Sequence, residues 1–421
     1  MKKSYRIVEL FSGIGSQASA LENIGLNIEV AATCEWDMQA FIAYDCIHNG
    51  KNISKEVKGL KKEELIDKLK DYSLSYDGKC VASLKSISSL DVEVLRRIYS
   101  SLINTNNLVD ISRVNGKQIP DNIDVMTYSF PCQDLSNVGA FHGYTKGIDK
   151  GSGSRSSLLW EVGRILQEMK KSKKQMPRYL VMENVPSLLS NRHRTNFETW
   201  KKDLQKLGYI SKHFELNAKD FGIPQNRPRL LMMSVYVGKN KNLKNRIENY
   251  FNSTSPKSII EDYKNSTFYK DIKVKDLLRT NYSVKKYYLE ALDCNPNDTV
   301  SRRKIWNENP KIIDESGRLT GLGFVRTITT KQDRNPNSGN LYFDSKIKGK
   351  SKWRYLTPRE CLLFMGFKDK DYEALIKNNI KSRNSTIFPR DKIIRLAGNS
   401  IPVKLLEGFF YQIYKIEKIT K

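Results

Sequence analysis

YRIVELFSGIGSQASALENIGLNIEVAATCEW, residues Tyr5 to Trp36, decides the fold. The β-favoured run YRIVELF is followed at once by Gly13 and Gly15, then by SQASALENIG, which has helical composition and stops at Gly25. IEVAATCEW (Ile28 to Trp36) reads as a second strand with an acid at its carboxyl end, about 20 residues beyond the glycines. Strand, glycine turn, helix and strand make the opening unit of a parallel sheet.

Working outward, IDVMTYSF (Ile123 to Phe130), RYLVMENV (Arg178 to Val185) and RPRLLMMSVYV (Arg227 to Val237) read as further buried strands. SRSSLLWEVGRILQEMKK and NFETWKKDLQKLGY read as the helices between them, so the class is α/β, a doubly wound and largely parallel sheet covered on both faces. Residues 50–107 are rich in Lys, Glu, Leu and Ser and predict two or three amphipathic helices at the sheet's periphery, with Asp77-Gly78 the one clear turn signal. Beyond Val237 the pattern breaks, and 238–351 shows no long periodic element, as expected of a second, smaller domain. VKLLEGFFYQIYKIEKI (Val403 to Ile419) carries an apolar stripe at helical spacing and should pack back on the first domain.

The chain has 421 residues and is 39% hydrophobic, enough for a substantial core. Its 72 Lys+Arg against 46 Asp+Glu leave +26, a surface that attracts a polyanion, nucleic acid first of all, with solubility as the bland alternative. Six scattered cysteines and four histidines, without a C-x-x-C pair, indicate neither a zinc site nor a disulfide scaffold and fit a reducing cytosol. Neither a signal-peptide core nor a bilayer-spanning run is present, so a soluble, cytoplasmic protein is expected.

The turn FSGIGS lets backbone approach a ligand, and the helix start behind it offers unpaired N–H groups. A dinucleotide fingerprint would need a third glycine where Ala18 stands, which favours a smaller adenosyl ligand over a pyrophosphate. Glu35 can accept both ribose hydroxyls and the Trp36 indole can lie against adenine, or the pair is a core Trp beside an incidental acid. Asp110-Ile111 precedes the third strand and adds a carboxylate able to reach a purine amino group, or a plain turn aspartate. Cys132, in TYSFPCQDLSNVG, is either a buried small thiol or a nucleophile.

Together these residues resemble the cytosine-C5 DNA methyltransferase family, in its bacterial restriction-modification form. VELFSGIGSQASAL, CEWD, VDISRV, SFPCQDLS, MENVPSLL, FGIPQNRPRLLMMS, RYLTPRECLLFMGF and LAGNSIPVKLLEG all fall in family order, over nearly the whole chain. The departures are Ser16, where the family usually has Gly, and the long insertion before Asp110. The resemblance implies a Rossmann-like, S-adenosylmethionine-dependent catalytic domain over 1–237, a target-recognition domain over 238–351 and a return to the catalytic domain over 352–421. By the same resemblance Cys132 is the nucleophile that adds to cytosine C6. Glu183 would bond the N3 edge, Arg229 would reach O2, and Arg227 would lie near the nucleophile or backbone phosphates. The two arginines, two apart, should share one strand face.

Cofactor contacts carried over are Phe11, Ser12, Gly13, Ile14, Gly15, Glu35, Trp36, Asp110, Ile111, Pro131, Leu158, Asn399, Ser400 and Ile401; the product would be S-adenosylhomocysteine, with no metal. Gln133, Ser136 and Arg155 belong to a glycine-rich loop, Gln133 to Arg155, expected to close over double-stranded DNA, and Thr327 to the recognition domain. A monomer, no membrane, and a cognate restriction endonuclease acting separately on the same site complete the expectation. An RNA methyltransferase of the same fold, a catalytically dead DNA-binding regulator and a nicotinamide oxidoreductase are the rivals.

Overall fold

The computed structural model describes residues 4–50, 53–131, 135, 147–149, 155–321, 323–334, 336–382 and 385–420. Its centre is a sheet of β1 (Ser4–Leu10), β2 (Asn27–Cys34), β3 (Val125–Tyr128), β4 (Tyr179–Asn184), β5 (Tyr209–Asn217) and β7 (Pro228–Tyr236), in the order β2-β1-β3-β4-β7-β5. A separate short strand, β6 (Gln225–Asn226), pairs in parallel with Val325–Arg326. β1 pairs in parallel with β2 and β3, and β3 with β4.

Alternate side chains along each strand fall on opposite faces, and both faces are buried. Ile7, Tyr179, Val181, Leu231 and Met233 join α1 (Ser16–Asn23), α2 (Met38–His48) and the C-terminal helix Val403–Thr420 in one core. Val8, Met126, Leu180, Met182 and Met232 join helices Leu159–Lys171 and Asn191–Leu207 in the other. The C-terminal helix is tied to the end of α1 by Asn23 donating to Glu407 (2.8 Å) and Tyr414 Oη donating to the Ile24 carbonyl (2.8 Å).

Three features differ from the sequence reading. β7 runs antiparallel to both β4 and β5, so the sheet is mixed at that end. β5 went unread because Ser211, Lys212, His213 and Glu215 give it no apolar run; as an edge strand it is only partly buried along most of its length. The segment after Val237 is also helical, with helices at Lys241–Ser253, Pro256–Lys264, Lys285–Asp293 and Val300–Glu308. These are short and bury few side chains, Ile247 and Phe251 in the first and Ile259 and Tyr263 in the second, so Lys and Asn swamp the apolar period. The first two lie on the C-terminal helix, held by Lys415 with Asp262 (2.7 Å) and Tyr250 with Gln412 (2.5 Å).

The insertion forms the helices Lys62–Leu69, Leu84–Ser88 and Val92–Asn104. The last docks on α2 through a buried pair, Arg97 with Asp45 at 3.0 Å.

Candidate active site

The site lies beyond the carboxyl ends of β1, β2, β3 and β4, where the strand order reverses around β1 and an open α/β sheet leaves a crevice. The chain leaves β1 through Phe11 (φ 58), Gly13 (φ 55) and Gly15 (φ 82). Gly15 must be glycine, since a Cβ there would overlap His48 and Tyr44, whereas one on Gly13 would meet nothing within 4 Å. The open side of the turn is therefore at Gly13. Ser12 Oγ is buried and has no hydrogen-bond partner among the described residues.

Behind the turn, Glu9 occupies the start of α1. It is fully buried, accepts from the Ala18 N–H (3.1 Å) and the Tyr44 hydroxyl, and is pushed up to about 7 by burial. The Ala18 N–H, at the position where a dinucleotide site has glycine, is thus taken by the protein's own acid.

Glu35 Oε2 accepts from the Gly13 N–H (3.1 Å) and Oε1 from the Asp37 N–H (2.9 Å). Burial first, and the neighbouring Asp37 second, push its carboxyl up to about 7. Each oxygen keeps lone-pair capacity for another donor. Asn107, which the sequence reading passed over, accepts from Glu35 N (3.0 Å) and Val109 N (2.9 Å) and donates to the Glu35 carbonyl (3.0 Å). It thus locks the CEWD turn to the Val109-Asp110-Ile111 turn, where Val109 is left-handed (φ 63). Asp110 Oδ1 is engaged with the Ser112 N–H and hydroxyl; Ile111 is buried. Trp36 is half-buried. A buried unpartnered hydroxyl, an open glycine and an acid with accepting capacity suit an adenosyl ligand carrying a ribose diol.

On the other side of the crevice, the backbone leading to residue 132 is held from two directions. Asn184 Nδ2 donates to the Phe130 carbonyl (3.0 Å) and Ser156 Oγ to the Pro131 carbonyl (2.6 Å). Cys132, Gln133 and Ser136, with most of the expected loop from Gln133 to Arg155, lie outside the described residues. Arg155 and Leu158 are half-buried in the turn before helix Leu159–Lys171.

Glu183, at the end of β4, meets Arg229 near the start of β7, Nε to Oε1 2.8 Å, each side chain 12% exposed. Burial raises the Glu183 carboxyl above the ordinary carboxylate range despite the opposing pull of Arg229 and Arg227. Arg227 stands just before β7, whose first residue is Pro228; its carbonyl accepts from the Ala218 N–H (3.2 Å), and its charge, like that of Arg229, acts on Glu183. Its guanidinium is buried and donates to the carbonyls of Ile328 (2.8 Å), Gly398 (2.7 Å) and Ser400 (2.8 Å).

The same knot holds Thr327, whose hydroxyl donates to the Asn226 carbonyl (2.7 Å), and Gln225, whose amide donates to the Phe364 carbonyl (2.8 Å) and accepts from Ile328 N (3.1 Å). Gly398 has no room for a Cβ against the Thr329-Thr330 peptide. Asn399 is exposed, while Ser400 and Ile401 are buried. Among the described residues no group of three or more His, Cys, Asp or Glu could hold a metal ion, and no helix is long and apolar enough to cross a membrane.

The model of the family described as C-5 cytosine-specific DNA methylase matches residues 5–74 and 70–415. The chain belongs to that family. This methyltransferase is 32% identical to the orphan methyltransferase M.SssI of Spiroplasma monobiae, across 98% of its length and 97% of that protein. It is 33% identical to the type II methyltransferase M2.ScrFI of Lactococcus lactis subsp. cremoris, across 97% and 99%. Its fold is similar to that of the S. pombe Dnmt2 methyltransferase, TM-score 0.59 at 16% identity, covering 98% and 99% of the two chains. It is a DNA cytosine-5-methyltransferase.

Proposed function

We propose that this methyltransferase acts on a cytosine flipped out of a short duplex sequence, through a covalent bond from Cys132, and that its methylation protects host DNA from a cognate endonuclease. The Glu183–Arg229 pair carries the reading, because it puts an acid and a cation at the end of the strand whose last residue, Asn184, holds the Phe130 carbonyl. S-adenosylmethionine, when bound, supplies an electrophilic methyl group. Ser12, Gly13, Glu35 and Trp36 would hold its adenosine, with Asp110, Ile111, Leu158 and Asn399 to Ile401 around it.

Cytosine C5 is too poor a nucleophile unless C6 is first attacked, so the Cys132 thiolate adds at C6 and negative charge develops at N3 and O2. Arg229 turns to O2 as that charge grows. Glu183 then loses its hydrogen-bonded counter-cation, and burial, opposed now by Arg227 alone, favours its protonated form, which donates to N3. After methylation, loss of the C5 proton and expulsion of the thiolate restore the aromatic ring and free the enzyme. Arg227 carries no reacting group in this scheme; it fastens the recognition segment and the C-terminal motif to the catalytic sheet. Residues after the helix Pro256–Lys264, up to Trp353, supply sequence choice, with Gln133, Ser136 and Arg155 against the DNA backbone.

Bisulfite sequencing of DNA from cells expressing the protein tests the reading. Conversion-resistant cytosines at one short motif, absent with Cys132→Ala, are expected; methylation persisting in that variant overturns the covalent scheme.

A further inference from the structure

Besides Asn107 at its end, the insertion brings the segment Ser75 to Lys79 to the site. Ser75 N donates to the Trp36 carbonyl (2.8 Å), and Met38 N donates to the Ser75 carbonyl (2.9 Å), so Ser75 lies beside Asp37 as a short parallel bridge. From the opposite side come two cations of helix Arg390–Asn399, whose end carries the Asn399-Ser400 motif. Lys392 Nζ donates to the Tyr76 carbonyl (2.7 Å), Arg395 Nη1 donates to the Asp77 carbonyl (2.6 Å), and Arg395 Nη2 pairs with Asp37. A Cβ built on Gly78 (φ +68) would touch Asp37 Oδ2 at 3.7 Å and Trp36 Nε1 at 3.8 Å.

The consequence reaches Glu35. The backbone N–H of Asp37 holds one Glu35 oxygen, and the Asp37 side chain caps α2 at Gln39 N (3.1 Å). Asp37 also sits close enough to raise the Glu35 carboxyl, so an Asp37 charge without its partner presses on the acid. Arg395 thus binds the insertion and the CEWD turn to the helix that carries the C-terminal motif.

We propose that Ser75 to Lys79 form a wall of the cofactor pocket and that Arg395 is a positioning residue, setting Glu35 and Trp36 through Asp37 and the Asp77 carbonyl. This rests on the adenosine site proposed above. The insertion is then part of the cofactor pocket and not peripheral decoration.

The test is calorimetric titration of S-adenosylhomocysteine into the full chain, with steady-state kinetics on DNA. Arg395→Ala is expected to weaken cofactor binding about tenfold and raise KM for S-adenosylmethionine similarly, with kcat at saturation changed about twofold or less, as for loss of one charge-assisted hydrogen bond. Arg395→Lys should recover part of the affinity, which a merely structural loss would not predict. Gly78→Asn, tolerated at this φ, keeps the ion pair and sets a side chain against the indole; about fivefold weaker binding is expected. If Arg395→Ala does not fold, Gly78→Asn decides alone. Unchanged affinity in either folded variant overturns the inference. Glu35→Ala separates the two readings: if it binds normally the adenosine site itself is misplaced, and if only it loses binding the site stands and the insertion's part falls.

Discussion

Two buried carboxylates face the same crevice and are held in opposite ways. Glu35 is gripped by backbone N–H groups and sits beside another acid, Asp37, whereas Glu183 is gripped by a guanidinium. Backbone donors cannot leave, so Glu35 is a fixed acceptor, suited to a ligand that docks in one pose. A guanidinium on a side chain can turn away, so Glu183 is an acid whose proton affinity changes when its partner finds another anion. In the proposed scheme the contrast separates a binding half from a reacting half within one sheet edge.

The largest effect that would sharpen this contrast belongs to the reacting half. Cys132→Ala should abolish tritiated methyl transfer while DNA binding in a gel-shift titration stays within about twofold of wild type, since it removes the nucleophile alone. Glu183→Gln should lower kcat by about 10²-fold to 10⁴-fold, the scale of a lost general acid, with little change in cofactor affinity. Glu35→Gln should do the reverse, raising KM for S-adenosylmethionine about tenfold or more through lost charge-assisted hydrogen bonds, with kcat nearly kept. If both variants lose kcat equally, the division into halves is broken.

The arginines give the next step down. Arg229→Ala should cost about 10²-fold in kcat, as for loss of one oxyanion donor, and leave the urea midpoint nearly unchanged. Arg227→Ala removes the donors to three buried carbonyls and should cost about 3 kcal/mol or more of stability, read as a lower urea midpoint.

The smallest effect is with pH. Glu35 and Glu9 rise from an ordinary 4.5 to about 7 in the folded chain, so each binds its proton more tightly there than when unfolded. Their contribution is full below about 4.5 and is lost as pH climbs through about 7, so the free protein's melting temperature should fall across that window. A ribose diol needs ionised Glu35, so S-adenosylhomocysteine affinity should rise over the upper part of the same window. Glu35→Gln should flatten the affinity slope.

The opening unit was legible because its strands are short, apolar and bounded by glycine; observed strands Ser4–Leu10 and Asn27–Cys34 lie close to the expected ones. Glu35 could be named because it stands at the end of such a strand, and Glu183 because MENV resembles the family's motif. What stayed hidden shares one cause, that polar groups spoke to backbone and not to a pattern. Asn107, Asn184 and Gln225 act through carbonyls and N–H groups far away in sequence, up to 139 residues for Gln225 and Phe364. The carbonyls that Arg227 reaches, on Ile328, Gly398 and Ser400, lie more than 100 residues away and left no mark in the pattern around it.

The knot at Arg227 also bears on how such a chain can diversify. Three of its hydrogen bonds reach peptide oxygens, on Ile328, Gly398 and Ser400, and every amino acid supplies a peptide oxygen. At this socket a foreign segment would need only a matching main-chain path, whereas elsewhere an exchanged stretch before Trp353 would have to replace side-chain ties such as Thr327 to the Asn226 carbonyl and Asp262 to Lys415.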